Sequence, residues 1–218
     1  MKKILLGLSL LLCAALLAAC PAGDGVYHMD VSEDGRFVCR ESGIAYREAA
    51  ANYLPRTMGT AVYARQETAG AARCFYSCGE ESAARYLVCA DPDDRFPYFM
   101  IAAEGYALPS LSGMAPTAMA VCGSTNEFFW YDVYDRSTNL SQIGSLVTLY
   151  ETGESIRLPD GNVETLLYLI FFSEDYPEYG YVCKYIVLDS GDAFIADPEG
   201  GRTVRANPAL MAGLRLTA

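Results

Sequence analysis

The chain begins with two positive charges followed by a long apolar run. Lys2 and Lys3 precede residues 4–19, in which no residue is charged. A run of this length is at the short end of what a membrane-spanning helix requires. A basic start, an apolar centre and small residues before a cut are the layout of a secretory signal peptide. The sequence therefore predicts export of the chain, removal of residues 1–19, and folding of the remainder alone.

The run ends in Leu17-Ala18-Ala19-Cys20, which resembles the lipobox of bacterial lipoproteins. The resemblance implies that the Cys20 thiol carries a diacylglyceryl group and that a peptidase cuts between Ala19 and Cys20. Two or more acyl chains anchor a protein stably, since each buried methylene contributes ~0.8 kcal/mol. Cleavage without lipidation would leave the cysteine unexplained, and an uncleaved anchor would lack a basic flank after the run. We therefore expect an extracytoplasmic, lipid-anchored protein of the cell membrane or envelope.

The remainder is long enough for one domain with its own core. Residues 20–35 are rich in Gly and Asp, and we expect them to be the lipidated cysteine and a tether. No long polar or Pro-rich linker divides the chain after this tether. The sequence therefore predicts one β-rich domain over residues 36–218.

The charge balance excludes one class of partner. The formal net charge is −11, and it becomes −13 when Lys2 and Lys3 leave with the signal peptide. Lys184 is then the remaining lysine, and the arginines are scattered. Nucleic acid requires a basic stripe that neutralises phosphates, so we expect no nucleic-acid partner.

The histidine content excludes common enzyme chemistries. His28 is the only histidine, and it lies in the predicted tether. Ser-His-Asp and Cys-His sites need an ordered histidine, and catalytic zinc usually takes two or three. Phosphate-binding and dinucleotide-binding glycine motifs are also missing from the sequence. We therefore predict no catalytic residue, no metal and no cofactor. Because the chain has 27 acidic residues, a pair of carboxylates acting as a glycosidase is the surviving enzymatic alternative.

Short runs rich in Val, Ile, Tyr, Phe and Thr alternate with turn signals, which indicates β structure. Three hairpins are predicted, around Gly43, around Thr152-Gly153 and around Gly200. The apolar runs TLLYLIFFSE and YVCKYIVLD predict two central strands, and STNLSQIGSLV predicts one or two helical turns. The expected fold is mainly β, with antiparallel sheets built from consecutive hairpins, sandwich- or meander-like, and little helix.

Two segments carry a second resemblance. DGRFVCRESGIAYREA and SEDYPEYGYVCKYIVLDSGDAFIADPEGGRTVR resemble segments of lipoproteins from anaerobic Firmicutes. That resemblance implies a β-rich domain, and it implies neither an activity nor any site residue.

Six cysteines follow Cys20, and two of them have a geometric reason to meet. RCFYSCGEESAARYLVCAD predicts a hairpin with a symmetric loop over residues 79–84, which sets Cys74 opposite Cys89. Opposed side chains in a hairpin lie near disulfide reach. Exported proteins favour disulfides, whereas cysteine also serves as a small buried residue, and both alternatives stay open. A zinc cluster is disfavoured because no C-x-x-C pair is present.

Two further segments suggest ligands. EFFWYDVYD is densely aromatic, so Trp130, Tyr131 and Tyr134 form a candidate platform for carbohydrate, although such strands more often pack within a sheet. ADPDDRFP gathers three aspartates into a loop, which suits a hard cation or a solvated turn.

The sequence thus favours a non-catalytic binding or structural module held at the membrane by its lipid. Its partner would be a carbohydrate or another envelope protein. The alternatives are the carboxylate-dependent glycan hydrolase and a partner in the assembly of another envelope protein.

Overall fold

The structure is a computed structural model that describes residues 28–56, 61–68, 71–78, 85–90, 97–124 and 131–216. For residues 61–68, 71–74, 97–98, 124 and 131 it describes the backbone alone. Within these ranges the fold is mainly β, as predicted: fourteen strands form two antiparallel sheets, accompanied by one α-helix and one 3₁₀-helix.

The first sheet has seven strands and includes two of the predicted hairpins. Its order is β1 (Met29–Val31), β2 (Phe37–Cys39), β3 (Ala45–Glu48), β8 (Pro97–Ala103), β7 (Tyr86–Ala90), β6 (Ala71–Ser77) and β5 (Ala61–Thr68). The hairpin of β2 and β3 turns through Gly43, whose φ of 69° lies in the left-handed region that glycine adopts without strain. Strands β6 and β7 form the second hairpin.

The first sheet curls on itself. Its edge strands β1 and β5 lie close to each other, so the concave face encloses a small core of its own. This core contains Phe37, Phe75, Leu87, Cys89 and Ile101, and the last three alternate with residues that face the other way. The period-2 alternation of β7 and β8 thus supplies apolar side chains to both faces of the sheet.

Strand β1 lies inside the predicted tether of residues 20–35, so part of that segment belongs to the first sheet. Met29, Asp30 and Val31 pair with Cys39, Val38 and Phe37. The Gly- and Asp-rich composition concealed a three-residue edge strand, which is held in place by this ladder.

The second sheet also has seven strands. Its order is β10 (Tyr131–Ser137), β9 (Ala118–Ser124), β11 (Val163–Phe172), β12 (Tyr179–Leu188), β13 (Ala193–Ala196) and β14 (Thr203–Ala206), with β4 (Tyr53–Pro55) also paired to β12. The two long apolar runs form β11 and β12 in the interior of this sheet, as predicted. The hairpin of β13 and β14 is also confirmed, and Gly200 in its turn has a φ of 81°.

The main core lies between the two sheets. The convex face of the first sheet contributes Tyr86, Val88 and Met100 to the same cluster as Leu169 and Tyr185 of the second sheet. One helix, α1 (Leu140–Thr152), covers part of this core with four buried side chains: Ile143, Leu146, Val147 and Tyr150.

Helix α1 replaces one predicted hairpin and is longer than expected. Asn139 caps it, since the Asn139 side chain accepts hydrogen bonds from the backbone amides of Ser141 and Gln142. The hairpin predicted around Thr152-Gly153 is wrong, because the helix continues to Thr152. The apolar spacing of three and four residues along one face outweighs the strand preference of the β-branched residues.

No helix within the described ranges has the length and apolar character needed to cross a bilayer.

Two glycines provide a stability test with opposite signs. Gly43→Ala should lower the free energy of unfolding by about 1 kcal/mol, because an L side chain is strained in the left-handed region. Gly144→Ala should raise it by about 0.5–1 kcal/mol, because Gly144 lies inside α1 with open space around a new Cβ. Urea denaturation of both variants measures the two changes, and changes of equal sign would contradict this account.

Candidate functional site

A partly open cavity lies beside the segment that joins β3 to β4, where residues of both sheets meet, and we call it the inter-sheet cleft. Its volume is about 370 Å³, which is within the range of small-molecule sites. Its apolar lining comes from both sheets: Met100 of β8, Tyr53 and Leu54 of β4, Tyr168 of β11 and Val182 of β12. The cleft therefore depends on how the sheets are held relative to each other.

Three charged side chains line the same cleft. Lys184 of β12 is half-buried, whereas Glu48 at the end of β3 and Glu199 in the turn between β13 and β14 are exposed. The Lys184 ammonium donates a hydrogen bond to the backbone carbonyl of Pro198. An apolar cavity with a few charged groups at defined places is the usual composition of a ligand site.

Asn52 fixes the segment that forms one wall of the cleft. The backbone amide of Ala49 donates to Met100 O at 2.8 Å, which attaches the segment to the first sheet. Asn52 O accepts from the Val182 amide at 2.6 Å, and Asn52 Nδ2 donates to Val182 O at 3.2 Å. The segment between β3 and β4 therefore bridges both sheets through hydrogen bonds that do not belong to either sheet's ladder.

The Asp197 carboxylate accepts hydrogen bonds from Asn52 and from donors close to it. Its Oδ1 accepts from Asn52 Nδ2 at 2.9 Å and from the hydroxyl of Tyr150. Its Oδ2 accepts from the backbone amide of Arg202 at 2.5 Å. Burial, and then this hydrogen bond to Asp197, raise the pKa of Tyr150, so the tyrosine stays protonated and remains a donor. Polar groups satisfied in this way rigidify their surroundings.

Arg202 attaches the helix to the same network. Its guanidinium donates to the carbonyls of Tyr150 at 2.7 Å, Glu151 at 3.1 Å and Gly153 at 2.5 Å. These carbonyls lie at the C-terminal end of α1, where unpaired acceptors and the helix dipole favour a cation. The turn of the β13–β14 hairpin is thereby locked to the helix.

Tyrosine rings pack behind the cleft. Tyr53 contacts Tyr179 and Tyr181 edge to face, with ring centroids 5.8 and 5.3 Å apart. The Tyr53 hydroxyl donates to Pro109 O at 2.6 Å. The Tyr179 hydroxyl is buried and has no hydrogen-bond partner within the described part of the chain. The Tyr53 side chain is therefore held rigidly as part of the wall.

A second, more open cavity adjoins the first and has a volume of about 450 Å³. It shares Lys184, Pro198 and Glu199 with the inter-sheet cleft and continues over Ile156 and Ile186. Lys184 therefore lies where the two cavities meet.

The predicted aromatic platform is corrected at Tyr134. A Cβ placed on Gly123 would clash with the Tyr134 hydroxyl, so the tyrosine lies across this glycine and packs on the main core. The ladder between β9 and β10 shifts between Val133 and Asp135, so the side chains before and after this shift do not follow one regular alternation. Trp130 lies outside the described residues, as does the side chain of Tyr131.

The predicted register of Cys74 and Cys89 is wrong by one residue. Cys74 pairs with Ala90, and Cys89 pairs with Phe75. Successive residues of a strand face opposite sides of the sheet, so this register argues against the predicted disulfide. The side chain of Cys74 lies outside the described part, whereas Cys89 is fully buried in the core of the first sheet.

The other described cysteines are core residues. No disulfide joins any two of Cys39, Cys78, Cys89, Cys122 and Cys183, all of which are buried. Burial raises the pKa of the Cys78 thiol to about 12 and that of Cys122 to about 11. These two thiols are therefore poor nucleophiles at neutral pH.

His28 is fixed rather than lying in a mobile tether. Its backbone amide donates to Glu41 Oε2 at 2.8 Å, and its Nδ1 lies 2.7 Å from Glu41 Oε1. The hydrogen bond from His28 lowers the pKa of Glu41 to about 2. The single histidine thus helps to hold the start of the first sheet.

Two other sequence predictions fall outside the described residues: the lipidation and cleavage site at Ala19 and Cys20, and the loop with Asp91, Asp93 and Asp94. Within the described ranges, no group of three or more His, Cys, Asp or Glu side chains is placed to hold a metal ion. Comparison with protein-family models, with curated proteins and with solved structures found no match to this chain.

The cleft itself was not predicted, because its wall comes from segments far apart in the chain. One signal pointed to it: Lys184 is the single lysine outside residues 1–19 and interrupts an otherwise apolar strand. Charged side chains are rarely found in a central strand without a specific role, and in this structure Lys184 lines a cavity.

The Asp197 network gives a prediction about stability. Tyr150→Phe should lower the free energy of unfolding by roughly 1–2 kcal/mol, because a partly buried hydrogen bond to a carboxylate is lost. Tyr106→Phe is the matched control, since Tyr106 is 47% exposed and should leave stability unchanged. Urea denaturation of the two variants makes the comparison. If Tyr150→Phe were as stable as the parent protein, the hydrogen bonds around Asp197 would not contribute to stability as proposed.

Proposed function

We propose that the protein is a lipid-anchored, extracytoplasmic binding protein whose ligand occupies the inter-sheet cleft. The observation that carries the proposal is the composition of that cleft. Apolar and aromatic side chains surround about 370 Å³, and Lys184, Glu48 and Glu199 line it as the charged groups. A concave, mostly apolar cavity with a few charged groups is the usual form of a ligand site.

Support for the anchor comes from the sequence. Leu17-Ala18-Ala19-Cys20 has the form of a lipobox, and His28, where the described structure begins, follows Cys20 by eight residues. An extended chain reaches at most ~3.5 Å per residue, so the tether would keep the first sheet within roughly 30 Å of the membrane surface.

A glycan hydrolase is the second candidate, because Glu48 and Glu199 line one cleft. That chemistry needs two carboxyl groups ~5–9.5 Å apart, one of which has a raised pKa. Glu48 and Glu199 are both exposed to solvent, whereas the general acid of such a pair normally lies in an apolar, desolvated environment, which favours binding over catalysis.

An assembly partner would require a contiguous apolar surface. The described large apolar side chains that are exposed come from five separate parts of the fold: Val31, Tyr106, Val133, Leu140, Val163 and Leu166. The cleft is therefore the stronger basis for a function.

The anchor is tested by replacing its cysteine. Cys20→Ala should leave the chain either uncleaved or released from the membrane, because the thiol that carries the lipid is absent. Mass spectrometry of the membrane fraction should show diacylglyceryl on residue 20 of the parent protein. A Cys20→Ala protein that fractionates and migrates as the parent does would contradict lipidation.

The cleft is tested by filling it. The probe is N-phenyl-1-naphthylamine, an uncharged dye whose fluorescence rises in apolar sites. Leu54→Trp should reduce the enhancement at least about tenfold, because half-buried Leu54 lines the cleft and a larger ring takes up its space. Thr148→Trp adds the same ring on the exposed side of α1 and should leave the enhancement unchanged.

Thermal denaturation of both tryptophan variants verifies that they are folded. An unchanged enhancement in folded Leu54→Trp would show that the dye binds elsewhere, and the proposed function would then lose its support.

A further inference from the structure

We infer that the ligand of the inter-sheet cleft is a zwitterion with an apolar body, such as a short apolar peptide with free ends. The inference rests on the proposed function, since it names the ligand class for the same cleft. It assigns the carboxylate of the ligand to Lys184 and its ammonium group to Glu48 and Glu199.

The charged residues of the cleft have no ion-pair partner within the described ranges. Some exposed charges elsewhere in the described structure form close pairs, such as Arg40 with Asp30 at 2.6 Å and Arg205 with Asp192 at 2.8 Å. The three charged residues of the cleft, like several other charged residues of the fold, form no ion pair within the described ranges. Lys184 and Glu199 line the same cavity without contacting each other as an ion pair. Within the described part of the chain, no ion pair therefore competes with a ligand for either sign of charge.

Lys184 is placed to bind an anionic group of the ligand. Its partner across β11 is Tyr168 and its partner across β13 is Ala196, so its aliphatic part lies on the face of the sheet. An ammonium has three N–H donors, and Pro198 O accepts one of them. A half-buried cation next to apolar side chains is stabilised by an anionic partner, and a carboxylate provides acceptors for the other donors.

The lining of the cleft carries charges of both signs. A ligand with only a negative charge would meet Glu48 and Glu199, and a ligand with only a positive charge would meet Lys184. A zwitterion avoids both repulsions and neutralises groups of both signs. Its apolar side chains would contact Leu54, Met100 and Val182.

The experiment measures binding to the detergent-solubilised full chain by calorimetry. The probes are the dipeptide Leu-Phe, its N-acetylated form, its C-terminal amide, and decanoate as an apolar monoanion. We expect the free dipeptide to bind at least about tenfold more tightly than each blocked form, because each blocked form lacks one charge-assisted contact.

Variants separate the two ends of the ligand. Lys184→Met keeps the aliphatic length, and it should weaken the free dipeptide about as much as C-terminal amidation does. Combined Glu48→Gln and Glu199→Gln should match the effect of N-acetylation. Arg205→Met removes an exposed cation outside the cleft and should leave the affinity unchanged.

The outcomes distinguish this inference from the proposed function. Blocked peptides that bind as tightly as the free dipeptide would overturn the inference. So would decanoate binding more tightly than the dipeptide, or no peptide binding at all; if the dye still binds in the cleft, the proposed function stands in both cases. The peptides on the parent protein keep the test decisive even if Lys184→Met fails to fold.

Discussion

The position of the two sheets relative to each other depends on one edge of strand β12, which β4 and β13 share. Strand β12 pairs with β11 along one edge, and its other edge is divided between β4 and β13. Asn52 lies at the junction, where its backbone and side chain bond both the amide and the carbonyl of Val182. Because β4 follows a segment attached to the first sheet, this junction joins the sheets directly rather than through apolar packing alone.

The polar network and the cleft are two consequences of that junction. Asp197 collects donors from Asn52, Tyr150 and Arg202, so helix α1, the last hairpin and β4 share one carboxylate. A partly buried network of this kind fixes the geometry, because moving any one member leaves its partners without their hydrogen bonds. The inserted segment also forms one wall of the inter-sheet cleft, which Lys184 lines as well.

The sequence predicts the parts of this fold that depend on local patterns. Strands β11 and β12 could be predicted because their sequences are apolar on both faces. The turn at Gly43 could be predicted because glycine adopts the positive φ of the turn without strain. Helix α1 was mistaken in part for a hairpin, since Val147 and Tyr150 favour strands individually and only their spacing places them on one helical face. The predicted register of Cys74 and Cys89 was wrong because it assumed a symmetric loop, and a shift of one residue reverses the facing of every side chain. The contact of Asn52 with Asp197 spans 145 positions, which no local pattern encodes.

The most direct test of the account is amide hydrogen exchange at Ala49 and Val182, whose N–H groups form the bonds that attach the inserted segment to the two sheets. If this junction holds the sheets and shapes the cleft, both amides should exchange as slowly as those in the centre of β11, through global unfolding alone. Exchange of both amides at the rate of an exposed loop would show that the segment opens independently, and it would contradict a preformed cleft.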